Sequence, residues 1–418
     1  MFDPWRHQGA AQADATRVRR PRLRPTTFVL LAALVAFAWP FLSRPEPEVR
    51  LAQARPPEVV APTGDLAAAF ELARPAALRI EARCLTPVGT RQVLGVGSGF
   101  FFRPDGAVLT AYHVIDGVGS VRDCPPTYVG VDAGRREFAL ELVGFDAYMD
   151  LAVLQADVGS EQVPFVPLAS ALPNPGTGVV AIGNSRGDFL AARAGRITRL
   201  GVRSARADFA DDTIEMTNAL QPGDSGGPVV TSRGEAVGVV SYISTNPGGM
   251  RSDVPLPPFL MGLALPMEFA AYAVPVTSGS ELVAALTEGA QRDVPVIGFT
   301  WQAGFDYDPG TWDVDLGPRR GTIVGSVAPD GPAARAGLRS YAVVPVLDES
   351  GARVGGVVEA DVIVAIDGVP TPTFERLLAV VRGKEIGQVV ELTVQRGPAT
   401  YRLPLELGAR RTVFAAHR

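Results

Sequence analysis

The chain has 418 residues, a formal net charge of −5, 45 glycines and 36 prolines. That length holds two or three domains. One lysine (Lys384) and arginines scattered beyond residue 24 offer no basic surface for nucleic acid, and without a glycine-rich phosphate loop or Cys/His metal spacing no metal and no cofactor is expected. Short valine-rich runs broken by Gly, Pro, Asn and Asp predict mainly β structure.

Six arginines (Arg6, Arg17, Arg19, Arg20, Arg22 and Arg24) precede Thr26–Leu42, a run without charge. A basic head before an apolar run follows the positive-inside rule. Residues 1–25 are therefore expected to be cytoplasmic, 26–42 to form a transmembrane helix that anchors the chain, and the remainder to be exported, to a periplasm or the cell surface. The run is short for a spanning helix, which needs about 20 residues, and Ala52-Gln53-Ala54 leaves a cleaved signal as the alternative. Residues 43–64, rich in Pro, Glu and Ala, read as a linker. A turn or two of helix is expected over Asp65–Arg74. Cys84 and Cys124 fall in the exported part, where they form either a disulfide or two small buried residues.

Gly95–Phe102 reads as a buried strand, and after it comes Leu109-Thr110-Ala111-Tyr112-His113-Val114-Ile115. Of three histidines, His7 lies ahead of the apolar run and His417 is penultimate, so His113 is the candidate general base. Asp150 opens Asp150-Leu151-Ala152-Val153-Leu154. A charge leading into an apolar strand is expensive to bury unpaired, which points to a partner; Asp146 is the weaker alternative. Residues 223–228 read Gly-Asp-Ser-Gly-Gly-Pro. A serine hydroxyl needs a base to become a nucleophile. Gly223 lets the chain turn so that the amides of Gly223 and Ser225 point into one space, where they can hold an oxyanion. Gly226 and Gly227 permit close approach by another strand.

With His113, Asp150 and Ser225 in that order, the chain resembles the trypsin-like serine peptidases, and among them the Deg/HtrA group. Further pieces are Ala181-Ile182-Gly183-Asn184, Gly195-Arg196-Ile197-Thr198, Gly234–Val239 and Gly262-Leu263-Ala264-Leu265-Pro266. Two positions depart from the family's habit: Asp224 stands where Asn is frequent, and Ser185 where Pro is frequent. The resemblance implies a trypsin-like double β-barrel over residues 65–275, with polypeptide substrates. It puts Ala219 at the floor of the specificity pocket and Ser241, Tyr242 and Ile243 along its wall. An apolar floor has nothing to pair with Lys or Arg, so small or medium apolar side chains are expected there. It also implies a homotrimer, with Phe70 as a candidate contact or as plain core.

Residues 276–292 read as a polar helical connection. Gly321-Thr322-Ile323-Val324, Gly331–Leu338, Asp361–Gly368 and the helix Thr373–Arg382 resemble a PDZ domain over 293–408, followed by a tail, 409–418. Such a domain adds a C-terminal peptide as a strand and captures its carboxylate. Val296-Ile297-Gly298-Phe299 is the candidate carboxylate loop. Insertions at about 303–319 and 340–358 are both candidates to cover the groove. Asp306, Asp308, Asp313 and Asp315 in the first lack calcium-loop spacing and read as a solvated acidic loop. The whole describes a membrane-tethered serine endopeptidase. A catalytically silent peptide-binding sensor or chaperone, and a hydrolase of small esters, are the alternatives.

Overall fold

Apolar runs bounded by Gly, Pro and Asp become strands. The computed structural model describes residues 58–86, 89–116, 126–202, 212–244, 270–300, 306–312, 314–347 and 353–415. Helix α1 (Asp65–Ala73) leads into β1 (Ala77–Leu85), β2 (Arg91–Phe101), β3 (Ala107–Ala111), the single turn α2 (Tyr112–Asp116), β4 (Thr127–Val131), β5 (Glu137–Asp146) and β6 (Leu151–Ala156). The six strands run β5-β4-β1-β2-β3-β6 and close through a β5–β6 pairing. β3 and β6 are neighbours and bury nearly every side chain, which is why both read as continuous apolar runs rather than alternating ones.

The second barrel comprises β7 (Gly178–Gly183), β8 (Ala191–Val202), β9 (Thr213–Met216), β10 (Pro228–Thr231), β11 (Ala236–Ser244) and β12 (Ala270–Pro275), closed in the order β10-β11-β12-β9-β8-β7. One apolar cluster runs from Leu78, Phe100 and Leu154 of the first barrel to Val180, Ile182 and Val239 of the second. The barrels thus share a packed seam. Phe70 is half-buried against it.

The connection over 276–292 is helical, as expected, but it is packed into the first barrel rather than polar. In α3 (Glu281–Thr287) the Ser280 hydroxyl caps the first turn by accepting from Val283 N at 3.3 Å. Val283 and Leu286, one turn apart on one face, are buried in the first barrel's core. β13 (Gln291–Arg292) then adds to β5 in parallel, Gln291 opposite Phe145. α1 crosses the other way: Leu66 lies over Gly178 and Leu72 over Gly234, both in the second barrel.

The last part contains β14 (Pro295–Val296), β15 (Phe299–Thr300), β16 (Asp306–Tyr307), β17 (Gly321–Ile323), β18 (Ser326–Val327), α4 (Pro332–Arg335), β19 (Ala342–Leu347), β20 (Arg353–Glu359), β21 (Val362–Ile366), β22 (Val369–Pro370), α5 (Phe374–Arg382), β23 (Val389–Arg396), β24 (Ala399–Glu406), β25 (Gly408–Ala409) and α6 (Arg410–Ala415). Its sheet runs β16-β17-β21-β23-β24. Successive side chains point to opposite faces: Val324, Ile363 and Ile366 pack with Leu377 and Val381 of α5, whereas Ile323, Val362 and Val364 pack with Tyr307 and Leu316. Tyr307 and Leu316 belong to the first insertion, and Tyr341 and Val358 of the second pack against the same cluster. The described parts of both insertions therefore cover the face opposite α5. That corrects the expectation that they would cover the groove between β15 and α5; their apolar residues demanded a core of their own. Asp306 reaches round to α5, its Oδ1 accepting from Phe374 N at 2.7 Å.

The other acidic residues of that loop are turn and ion-pair formers: Asp308 lies 2.6 Å from Arg320, and Asp315 accepts from Gly317 N. Asp313 lies outside the described residues, among which no group of three or more potential metal ligands occurs. The predicted anchor, 26–42, also lies outside them; among the described residues no helix is long and apolar enough to cross a membrane. Cys84 is buried and disulfide-bonded, and Cys124, the chain's other cysteine, lies outside the described residues.

Candidate active site

His113 stands on α2, the helical turn that follows β3, not on a strand. Asp150 is the turn residue immediately before β6, with φ 54°, a left-handed conformation that is uncommon outside glycine. The pairing of Ala111 with Leu151 brings the two together. Asp150 Oδ1 accepts from His113 N at 2.9 Å, and His113 Nδ1 lies 3.0 Å from Oδ1 and 2.8 Å from Oδ2. Ser241 Oγ also donates to Oδ2. The buried charge is thus partnered. Burial pushes the Asp150 carboxyl up, but the His113 charge and the hydrogen bonds from His113 and Ser241 outweigh it and hold the group below the usual carboxylate range. With Nδ1 facing the carboxylate, Nε2 is the nitrogen left for a reacting proton. Asp146 does other work: its Oδ1 accepts from Tyr148 N and Met149 N and closes the turn before Asp150.

The loop that carries Ser225 is gripped from the first barrel. Gly226 has φ 86°, and a Cβ there would lie 2.0 Å from the Ser98 carbonyl oxygen. Ser98, fully buried in β2, donates its amide to Ser225 O and its hydroxyl to Gly223 O, both at 2.7 Å. Asn184 Nδ2 donates to the Ser98 hydroxyl at 2.9 Å. Ser225 Oγ donates to the Ser241 carbonyl at 3.2 Å. Ser241 therefore joins the halves, its backbone meeting Ser225 and its hydroxyl meeting Asp150. Sequence reasoning placed Ser241 on the pocket wall and missed this contact, as it missed Ser98. A lone hydroxyl inside a Gly/Phe strand was the available signal, since a buried hydroxyl needs a partner. Of the other predicted wall residues, Tyr242 stacks on Tyr272 of β12 with centroids 4.6 Å apart, and Ile243 is half-buried against the second barrel's core. Ala219 is buried beside the loop.

The two departures from the family's habit are each other's partners. Asp224, 1% exposed, accepts Ser185 N at Oδ1 (3.0 Å) and both Ser185 Oγ (2.8 Å) and Gln221 N (3.0 Å) at Oδ2. A proline at 185 could donate neither bond. Arg193, 3% exposed, places Nε 3.8 Å from Asp224 Oδ2, and its Nη2 donates to Ser185 Oγ and Asp188. Burial pushes the Asp224 carboxyl up; the contacts from Ser185 and Gln221 and the charge of Arg193 oppose that only in part. In the last part of the chain, Val296–Phe299 join β14 to β15, and the Phe299 ring meets Phe374 of α5 edge-on at 6.4 Å.

Residues 97–239 match a trypsin-like peptidase domain and residues 295–407 a PDZ domain. A putative serine protease, HhoA, of Synechocystis sp. is 27% identical over 74% of this chain and 70% of its own length. A probable periplasmic serine endoprotease, DegP-like, of Marinomonas sp. is 31% identical over 60% of this chain and 47% of its own. The corresponding protein of Pseudomonas savastanoi pv. phaseolicola is 28% identical over 76% and 57%. The chain thus spans about half the length of these DegP-like relatives. A solved HtrA-type protease, AlgW with decapeptide, overlaps 83% of this chain and 99% of its own at 24% identity, with a TM-score of 0.43.

Proposed function

From a chain that carries a trypsin-like peptidase domain and one PDZ domain, and whose homologues are Deg/HtrA-type serine proteases, we propose a serine endopeptidase that cleaves unfolded or regulatory proteins of the cell envelope through an acyl-enzyme. His113 Nε2 takes the Ser225 proton as Oγ attacks the scissile carbonyl, then delivers it to the leaving amine. For that transfer the Ser225 hydroxyl turns from the Ser241 carbonyl to His113. Asp150 holds the imidazole tautomer and supports its charge. The oxyanion lies at the amides of Gly223 and Ser225. Water then releases the acyl group. The observation that carries this reading is the short contact of His113 Nδ1 with both oxygens of Asp150.

In this reading the peptidase domain spans 65–275 and the PDZ domain 293–408, whose Val296–Phe299 loop takes the carboxylate of C-terminal peptides and regulates cleavage. Ala219 forms the floor of a small apolar pocket. Residues 26–42 anchor the chain, the domains work on the exported side as a homotrimer, and Cys84 pairs with Cys124. The periplasmic names of the DegP-like relatives support export. Fluorophosphonate labelling tests the chemistry. Ser225 should label, and Ser225→Ala or His113→Ala should each lower turnover by about 10⁶. Wild-type proteolysis by purified Ser225→Ala would overturn the assignment.

A further inference from the structure

The turn that carries His113 is held from outside the peptidase domain. Tyr112 precedes His113 on α2, and Asp116 ends it. The Asp116 side chain is 2% exposed, and its Oδ2 lies 2.7 Å from Arg410 Nε on α6. Tyr112 stacks on Phe145 of β5, centroids 4.6 Å apart and planes within 10°. The Arg411 guanidinium sits 4.9 Å from the centroid of that same Phe145 ring. Of two consecutive arginines, Arg410 thus pairs with the third residue after His113, and Arg411 lies over the ring on which the residue before His113 stacks.

The helix bearing them is itself fixed to the PDZ domain. The segment expected as a free tail pairs through β25 with β14, Ala409 opposite Pro295. Arg410 N donates to Val294 O at 3.1 Å and Arg411 N to Asp293 Oδ2 at 3.0 Å. Val413 is buried, and Gly298, Gly331 and Gly408 leave room for it. The Asp116 carboxylate is buried while Arg410 is partly exposed, so removing the guanidinium takes a charged partner from a buried charge, which is costly.

We infer that Arg410 and Arg411 are positioning residues for His113: the helix after the PDZ sheet braces α2 and so sets the distance from the imidazole to Ser225. The inference rests on the reading of His113 as general base. The arginines act through α2 and not on the substrate, so their loss displaces the base while the peptide-binding strands stay in place. Misplacement on the order of 1 Å costs about 100-fold in rate.

The test uses the full-length chain with Arg410→Ala, Arg410→Lys, Arg411→Ala, Asp116→Asn and the Arg410→Ala/Asp116→Asn pair. Steady-state cleavage of a short chromogenic peptide is read beside the rate and end point of fluorophosphonate labelling. Arg410→Ala should lower kcat about 10- to 100-fold at unchanged KM, slow labelling by the same factor, and leave the labelled end point intact. Arg410→Lys should recover most of the loss, Arg411→Ala should show a smaller fall of the same kind, and the pair should be no slower than its slower single variant. Wild-type kcat and labelling in Arg410→Ala would overturn the inference. So would a reduced end point at an unchanged rate, which marks lost folding rather than a displaced base. If Ser225→Ala is inactive while Arg410→Ala is wild type, the inference fails and the peptidase reading stands. An active Ser225→Ala removes both.

Discussion

Ser185→Ala isolates the buried contact beside the Ser225 loop. The substitution removes the hydroxyl that donates to Asp224 Oδ2 at 2.8 Å and accepts from Arg193 Nη2 at 3.0 Å. Asp224 keeps the amides of Ser185 and Gln221, and Arg193 keeps Asp188. Two hydrogen bonds to buried charged groups are thereby lost; the one to Asp224 alone costs about 1.5–3 kcal/mol, or roughly 3–12 °C in Tm for a domain of about 200 residues. The sign with pH follows from Asp224. Its folded pKa is raised above the unfolded value by burial, so its contribution to stability is most favourable below the unfolded pKa and declines as pH rises through the folded one. Removing a contact that opposes that rise makes the deficit greatest at neutral and alkaline pH and smaller toward acid. The assay is urea unfolding across pH in a Ser225→Ala background, which prevents self-cleavage, with Asp224→Asn closing a double-mutant cycle. Against Asn the same hydroxyl is worth about 0.5–1.5 kcal/mol, as for a neutral pair. A deficit below about 0.5 kcal/mol, the same at every pH, would refute the reasoning.

A Cβ on Gly226 would meet the Ser98 carbonyl oxygen at 2.0 Å, on a backbone with φ 86°, so Gly226→Ala should abolish fluorophosphonate labelling; normal labelling would contradict the close approach. Buried, uncharged Ala219 predicts cleavage after Val, Ala or Leu with Lys and Arg disfavoured, and a peptide-library profile dominated by Arg would sink it. Reporter fusions should place residue 10 in the cytoplasm and residue 400 on the exported side; a mature N-terminus near Arg55 would instead mark cleavage.

His113, Asp150 and Ser225 were legible because each sits in a contiguous stretch whose chemistry is local: one internal histidine, a charge at the head of an apolar strand, and a glycine-bound serine. They meet around Ser241. The supporting contacts were not legible, because their partners come from distant strands. Ser98 touches Gly223 and Ser225 across the seam between barrels, and Arg193 reaches Asp224 from β8. Strand period tells which side chains are buried, not which facing strand they meet. The helix over 276–292 was legible, but the buried face of α3 was not, because Glu281 and Glu288 surround its two buried residues and polar flanks hide a short apolar face. The PDZ insertions were misjudged for the opposite reason. Their aspartates drew the eye, while Tyr307, Trp312 and Leu316 already called for a core.

The chain crosses between its barrels at both ends, α1 lying on the second and α3 with β13 completing the first. During synthesis this sets an order of assembly. The edge of β5 at Phe145 and Asp146 emerges with the first barrel but lacks its β13 partner until residue 292 follows, a delay on the order of ten seconds at ordinary elongation rates. In that interval the second barrel emerges whole, so the last strand of the first barrel and the complete second barrel become available together. The histidine and serine halves of the site then come into register late, and the brace from Arg410 arrives later still. On the proposed reading of Ser225, a nascent chain built in this order assembles its nucleophile only after both barrels are complete.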